Sequence, residues 1–76
     1  MAAKAFVLIE TAIGKSKEVF TILNELGEIN SVDTVTGPYD LIVVLEGETL
    51  NDIGIMVTDK IHPIPGIVRT VTCLTI

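Results

Sequence analysis

A chain of 76 residues is long enough for one small domain, residues 1–76, whose core alone gives marginal stability. Because 49% of the residues are hydrophobic, the chain has more apolar side chain than so small an interior can hold, and a cavity or a partner chain must cover the excess. The formal net charge of -5, with five scattered cations, argues against direct binding of nucleic acid.

The sequence also argues against a membrane or secreted protein. No apolar run approaches the ~18 residues of a membrane span, and the N-terminus lacks the pattern of a signal peptide. The single cysteine, Cys73, excludes an internal disulfide and is expected to be a small buried hydrophobic residue. We therefore expect a cytoplasmic protein.

The first predicted elements are a strand and a helix. Residues 3–12 form a strand that is apolar on both faces in its middle, which indicates burial on both sides. A helix is predicted from Ser16 to Gly27, with Gly27 as its C-terminal stop. The apolar residues of this helix follow the spacing of one buried stripe: Val19, Ile22, Leu23 and Leu26.

A hairpin is predicted next. Residues 29–36 form a polar strand suited to the edge of a sheet, and residues 41–46 form an apolar strand suited to its centre. The turn between them, Gly-Pro-Tyr-Asp at 37–40, starts with Gly37, which allows unusual backbone angles, and with Pro38, which fixes φ. The tip of the hairpin therefore carries one phenol and one carboxylate.

A second helix and a last strand complete the chain. Thr49 is a predicted N-cap with Asp52 three residues on, and the helix ends at His62 because Pro63 follows. The last strand covers residues 67–76. Its alternation places Val68, Thr70, Thr72, Leu74 and Ile76 on one side and Ile67, Arg69, Val71, Cys73 and Thr75 on the other.

The element order predicts an α+β fold of the ferredoxin-like type, βαββαβ, with a four-stranded antiparallel sheet and two helices on one face. Two helices cover only one face, yet the first and third strands are apolar on both. The other face would expose a larger apolar patch than a monomer in water tolerates. We therefore predict that two chains pack these faces together as a dimeric α/β sandwich.

Signals of catalysis are poor, and we predict no catalytic residue, metal ion or cofactor. His62 precedes a proline at a helix end, where capping or surface roles are common, and the spacing of the other polar residues fits no metal site.

Asp40 has two open interpretations: a carboxylate that caps its turn, or a group that binds an ammonium. In the second case the turn amides would face a carboxylate, and a free amino acid carries both groups on one carbon. Tyr39 could pack on such a ligand, bond to it, or fill a contact between subunits.

Two motifs resemble a known family. Val-Thr-Gly-Pro-Tyr-Asp-Leu at 35–41, followed by an apolar strand, and Ile-Pro-Gly-Ile-Val-Arg-Thr-Val-Thr at 64–72 are similar to the C-terminal ligand-binding domain of Lrp/AsnC (feast/famine) transcriptional regulators. The similarity runs over essentially the whole chain. The resemblance implies dimers formed through the sheets, rings of dimers that are often octamers, and amino-acid effectors bound between dimers.

The resemblance also implies which residues contact the effector. The hairpin turn would supply Gly37, Pro38, Tyr39 and Asp40, and the hydroxyls of Thr70 and Thr72 would add contacts across the cleft. The helix-turn-helix of full-length regulators is missing, so the chain resembles a stand-alone effector domain, with a truncated chain as the alternative. A chain without this motif would reach transcription only by assembly with a longer Lrp/AsnC paralogue or with an unknown partner.

The leading hypothesis is a sensor of a small molecule, most simply an amino acid, that also mediates oligomerisation. One alternative is a small dimeric ferredoxin-like oxygenase or isomerase that uses His62 or Tyr39 as acid or base. The other is an assembly adaptor that binds no ligand.

Overall fold

Strands and helices follow one another in the predicted order in the computed structural model, which describes residues 2–76. The strands are β1 (Ala3–Thr11), β2 (Ser31–Thr34), β3 (Leu41–Gly47) and β4 (Ile67–Leu74). The helices are α1 (Ser16–Glu25) and α2 (Leu50–Met56), and α2 continues into a π-helical segment over Val57–Ile61. The sheet has the order β2-β3-β1-β4 with antiparallel neighbours throughout, so β2 and β4 are its edges. The predicted ferredoxin-like α+β fold is confirmed.

The core lies between one face of the sheet and the helices. Alternate residues of β1 and β3 point into it because side chains of a strand alternate between faces. Apolar side chains from α1, α2 and the π-helical segment pack against them. The fully buried side chains are Ala5, Val7, Ile9, Val19, Leu23, Leu41, Val43, Leu45 and Ile61, with Ile53 only 1% exposed.

Among residues 2–76, no helix lies over the opposite face of the sheet. Its apolar members, which we call the uncovered face, are Phe6, Leu8, Ile42, Val44, Val71 and Cys73. Phe6 is 37% exposed, and Cys73 is exposed as well. The prediction that Cys73 is buried is wrong, because Cys73 pairs with Phe6 and so shares its side of the sheet.

The ends of the first helix and of β2 differ from the prediction. Helix α1 ends at Glu25, and Leu26 takes an extended conformation with φ of -80° and ψ of 115°. Gly27 therefore follows the helix end and does not adopt a left-handed conformation. Strand β2 is shorter than predicted, and just before it the Asn30 side chain donates to Glu46 Oε1 and accepts from the Glu46 N–H.

The start of α2 is as predicted. The Thr49 hydroxyl accepts a hydrogen bond from the Asp52 N–H at 3.1 Å, and the Asp52 carboxylate accepts one from the Thr49 N–H at 3.2 Å. This capping box satisfies N–H groups that the first helical turn leaves without partners. The chain is helical up to Ile61, close to the predicted end at His62. The last part of this helix is π-helical and not α-helical.

Candidate functional site

The turn at the tip of the hairpin is tied to the neighbouring strand β1. The Asp40 N–H donates to the Ile9 carbonyl at 2.9 Å, and the Val35 N–H donates to the Asp40 carbonyl at 2.9 Å. Gly37 has a φ of +143°, a conformation that residues with a side chain rarely adopt. The turn therefore has a defined position relative to the sheet, as a binding site requires.

The Asp40 carboxylate points toward the start of α1. Its Oδ2 accepts hydrogen bonds from the backbone N–H of Thr11 at 2.8 Å and from the Thr11 hydroxyl at 3.1 Å. The Thr11 hydroxyl also lies 2.7 Å from the hydroxyl of Ser16. This carboxylate therefore links the hairpin, the end of β1 and the start of α1, a wider role than capping its own turn.

Tyr39, the residue before, is directed to the uncovered side of the sheet. Its hydroxyl accepts a hydrogen bond from Arg69 Nη2 at 2.8 Å, and the guanidinium carbon lies 5.4 Å from the centre of the ring. Arg69 Nε in turn lies 3.6 Å from Glu10 Oε1. Tyr39 thus reaches from the hairpin to a charged pair formed across β1 and β4.

A shallow cavity of about 490 Å³ lies between the hairpin and the uncovered face. Its walls are mainly apolar, with the phenol of Tyr39 on one side. The lining residues are Leu8, Val35, Thr36, Gly37, Pro38, Tyr39 and Ile42. A small molecule with an apolar portion fits the chemistry of these walls.

The predicted threonines lie on the other side of the sheet. Thr70 pairs with Ile9 and Thr72 with Val7, whose side chains point into the core, so both threonines are on the helix side. The Thr70 hydroxyl is 3.2 Å from Nε2 of His62.

Within one copy, the structure brings Gly37, Pro38 and Tyr39 together at the cavity. It places the carboxylate of Asp40 and the two threonines elsewhere.

Sequence reasoning missed Glu10 and Arg69 as members of this region. Arg69 was assigned to the correct side of its strand, but its partner depends on the register between β1 and β4, which the sequence pattern does not give. It also missed Thr11, whose hydroxyl and N–H hold Asp40.

Neither a cluster of metal-binding side chains nor a membrane-spanning helix is found in the part of the chain that the structure describes. Between residues 2 and 76, no three His, Cys, Asp or Glu side chains are grouped so that they could hold a metal ion. Over the same residues, every helix is too short or too polar to cross a bilayer.

Comparisons with solved structures agree with this architecture. The crystal structure of FFRP-DM1 is 40% identical to the chain, with a TM-score of 0.90, and the match covers 97% of this chain and 99% of that one. A hypothetical protein from Pyrococcus horikoshii, PHS023, is also 40% identical, with a TM-score of 0.88 and coverage of 97% and 89%.

A more distant structure is a transcriptional regulator from Neisseria meningitidis, solved as a complex with L-Met. It is 17% identical, with a TM-score of 0.84, and the match covers 97% of this chain and 49% of that one, so it shows the shared fold.

No protein of curated function matches the chain at a significant level. The sequence model of the Lrp/AsnC ligand binding domain matches residues 4–76. The chain therefore belongs to the Lrp/AsnC ligand binding domain family.

Proposed function

We propose that this domain senses a free amino acid and couples its binding to oligomerisation, without catalysis. Membership of the family supports a regulatory sensing module. The proposal that amino-acid binding is coupled to oligomerisation rests on the position of the cavity, which lies where the hairpin turn meets the uncovered face. A ligand at this place would touch both the turn and the surface on which a second copy would pack.

The surface of the sheet supports the assembly part of the proposal. The uncovered face is apolar over three neighbouring strands, β3, β1 and β4, and would remain in contact with water in a lone copy. Packing two such faces together removes this surface from water, which stabilises the pair. We propose dimers of this kind, assembled further into rings of dimers.

The effector contacts are proposed to come from more than one copy. Tyr39 lies on the uncovered side of the sheet, whereas Thr70 and Thr72 lie on its helix side. One small ligand cannot contact both sets within a single copy. A ligand between neighbouring dimers could be held by the turn from Gly37 to Asp40 of one copy and by the threonines of a copy in the next dimer.

Such a ligand would regulate the protein by shifting its assembly. It makes its full set of contacts only in the assembled state. It therefore favours that state by the difference between its affinities for the assembled and the unassembled protein. With a net charge of -5, the chain itself is not expected to read DNA, and we propose that it acts on transcription through a longer Lrp/AsnC paralogue in the cytoplasm.

Titration with each standard amino acid, by calorimetry and by thermal shift, tests this function. We expect at least one amino acid to raise the midpoint of thermal unfolding and to shift the mass measured by sedimentation. A ligand that binds the folded state at a concentration of 100 Kd stabilises it by about 2.7 kcal/mol. If no amino acid binds at millimolar concentration, the sensing proposal is wrong and the assembly adaptor is favoured.

A further inference from the structure

A pair of opposite charges lies on the same side of the sheet as the uncovered face, at the end nearest the hairpin. Glu10 and Arg69 are directly opposite each other on β1 and β4. Their closest atoms, Arg69 Nε and Glu10 Oε1, are 3.6 Å apart, and the side chains are 60% (Arg69) and 42% (Glu10) exposed. This is a loose surface pair, and such pairs contribute little to stability. Both charges can therefore take other partners at small cost.

Arg69 is held in place by an aromatic residue. Tyr39 accepts a hydrogen bond from Nη2 at 2.8 Å, and its ring lies beside the guanidinium at 5.4 Å. A guanidinium has more N–H donors than these contacts use. Within residues 2–76, the Arg69 side chain has no further hydrogen-bond or ion-pair partner beyond Tyr39 and Glu10. Donors of Arg69 therefore remain for a carboxylate, which guanidinium groups bind in a planar, bidentate geometry.

Tyr39 connects the cavity to this pair. Tyr39 both lines the cavity and contacts Arg69, so the two features share a wall. The other walls include the apolar side chains of Leu8, Val35 and Ile42. One positive group, one negative group and an apolar concavity are therefore adjacent on one surface.

We propose that Arg69 binds the α-carboxylate of an amino acid, that Glu10 binds its α-ammonium, and that an apolar side chain of the ligand enters the cavity. This inference rests on the proposed function and names the charged groups of its site. Asp40 is less suited to the ammonium, because its Oδ2 already accepts two hydrogen bonds from Thr11. A second copy packed on the uncovered face would exclude water from the pair and strengthen both contacts.

Calorimetry with three probes and five forms of the protein tests the assignment. The probes are L-methionine, methioninamide, which lacks the carboxylate, and 4-(methylthio)butanoic acid, which lacks the ammonium. The proteins are the wild type, Arg69→Gln, Glu10→Gln and two matched controls, Lys4→Gln and Asp33→Asn. The controls remove the same charges elsewhere on this side of the sheet, since Lys4 pairs with Glu46 and Asp33 with Ile42.

We expect Arg69→Gln and Glu10→Gln each to weaken binding of L-methionine about tenfold or more, and the controls to leave it within about twofold. Methioninamide should bind Arg69→Gln as weakly as it binds the wild type, because the group that Arg69 recognises is absent. Likewise, 4-(methylthio)butanoic acid should bind Glu10→Gln and the wild type with the same affinity, because the group that Glu10 recognises is absent.

Other outcomes overturn the assignment. If Arg69→Gln and Glu10→Gln bind L-methionine like the wild type, the pair does not recognise the ligand, although the sensing function stands. If a charged amino acid binds and L-methionine does not, the apolar part of the assignment is wrong. If the wild type binds no amino acid, the sensing function fails together with this inference. Circular dichroism of each variant establishes that these comparisons are made between folded proteins.

Discussion

Asp40 and Thr11, 29 residues apart in the chain, are joined by two hydrogen bonds, from the Thr11 N–H at 2.8 Å and from its hydroxyl at 3.1 Å, to the same carboxylate oxygen. These bonds tie the hairpin to the end of β1, where the chain turns into α1. Because the acceptor is ionised and partly buried, they are stronger than bonds between neutral groups. The carboxylate therefore adds a side-chain connection to the backbone bond between Asp40 and Ile9 that also holds the hairpin.

Asp40→Asn should lower the free energy of unfolding by about 2 kcal/mol, because the amide removes the charge that strengthens both bonds. Urea denaturation followed by circular dichroism measures the change. The control is Asp33→Asn, whose carboxylate is exposed on β2. A loss no larger for Asp40→Asn than for the control would contradict the role given to this carboxylate.

Gly66→Ala should lower the free energy of unfolding by about 1–3 kcal/mol. Gly66 has a φ of +97°, and an added Cβ would lie 3.1 Å from Lys15 Cβ and 3.2 Å from Val19 Cγ2 on α1. Gly54→Ala is the matched control, because Gly54 is inside α2 with nothing within 4 Å of an added Cβ. It should stabilise the protein by about 0.5–1 kcal/mol. Urea midpoints that move in the same direction for both variants would be inconsistent with this account.

Val44→Glu should give a folded protein that no longer assembles, whereas Val43→Glu should not fold. The two residues are adjacent on β3, but Val43 is 0% exposed in the core and Val44 belongs to the uncovered face. An unpaired carboxylate in the core costs more than about 4 kcal/mol, a large part of the stability of a small domain. Sedimentation should return an 8.2 kDa particle for Val44→Glu. A wild-type protein of the same mass would refute packing through this face.

Thr49→Ala should lower the free energy of unfolding by about 1 kcal/mol, because it removes the hydroxyl that accepts from the Asp52 N–H. Thr58→Ala is a useful comparison, since Thr58 is an exposed threonine of the π-helical segment. The difference between the two variants in thermal unfolding isolates the cap. Equal losses would mean that the capping box contributes nothing specific.

The fold could be predicted because hydrophobic periodicity changes clearly along the chain. β1 is an apolar run between polar ends, α1 carries a helical stripe, and the turn signals at Gly37 and Pro63 separate the elements. The ends were less predictable, since they depend on local geometry. Leu26 leaves the helix before Gly27 can serve as a left-handed cap, and β2 covers only Ser31–Thr34 of the predicted 29–36.

The candidate site was harder to predict, because it depends on which residues meet across strands. The turn at 37–40 is visible in the sequence as a cluster of turn-forming residues. Its contacts with Thr11 and Arg69 bridge 29 and 30 positions, and no local pattern encodes a register over such a distance. The exposure of Cys73 was missed for a related reason. The alternation along β4 gives two sides, and only the pairing with β1 shows that Cys73 is on the side that the helices do not cover.

The two edges of the sheet have different consequences for how the chain behaves when it is crowded. β2 is a four-residue strand with mostly polar side chains, whereas β4 has eight residues and leaves Val68 62% and Leu74 47% exposed. A long edge with few charges is a template on which extended chains add, and this is how cross-β aggregates begin. Fibril growth from copies left without partners would therefore start along β4, and Val68→Lys would act as a gatekeeper against it.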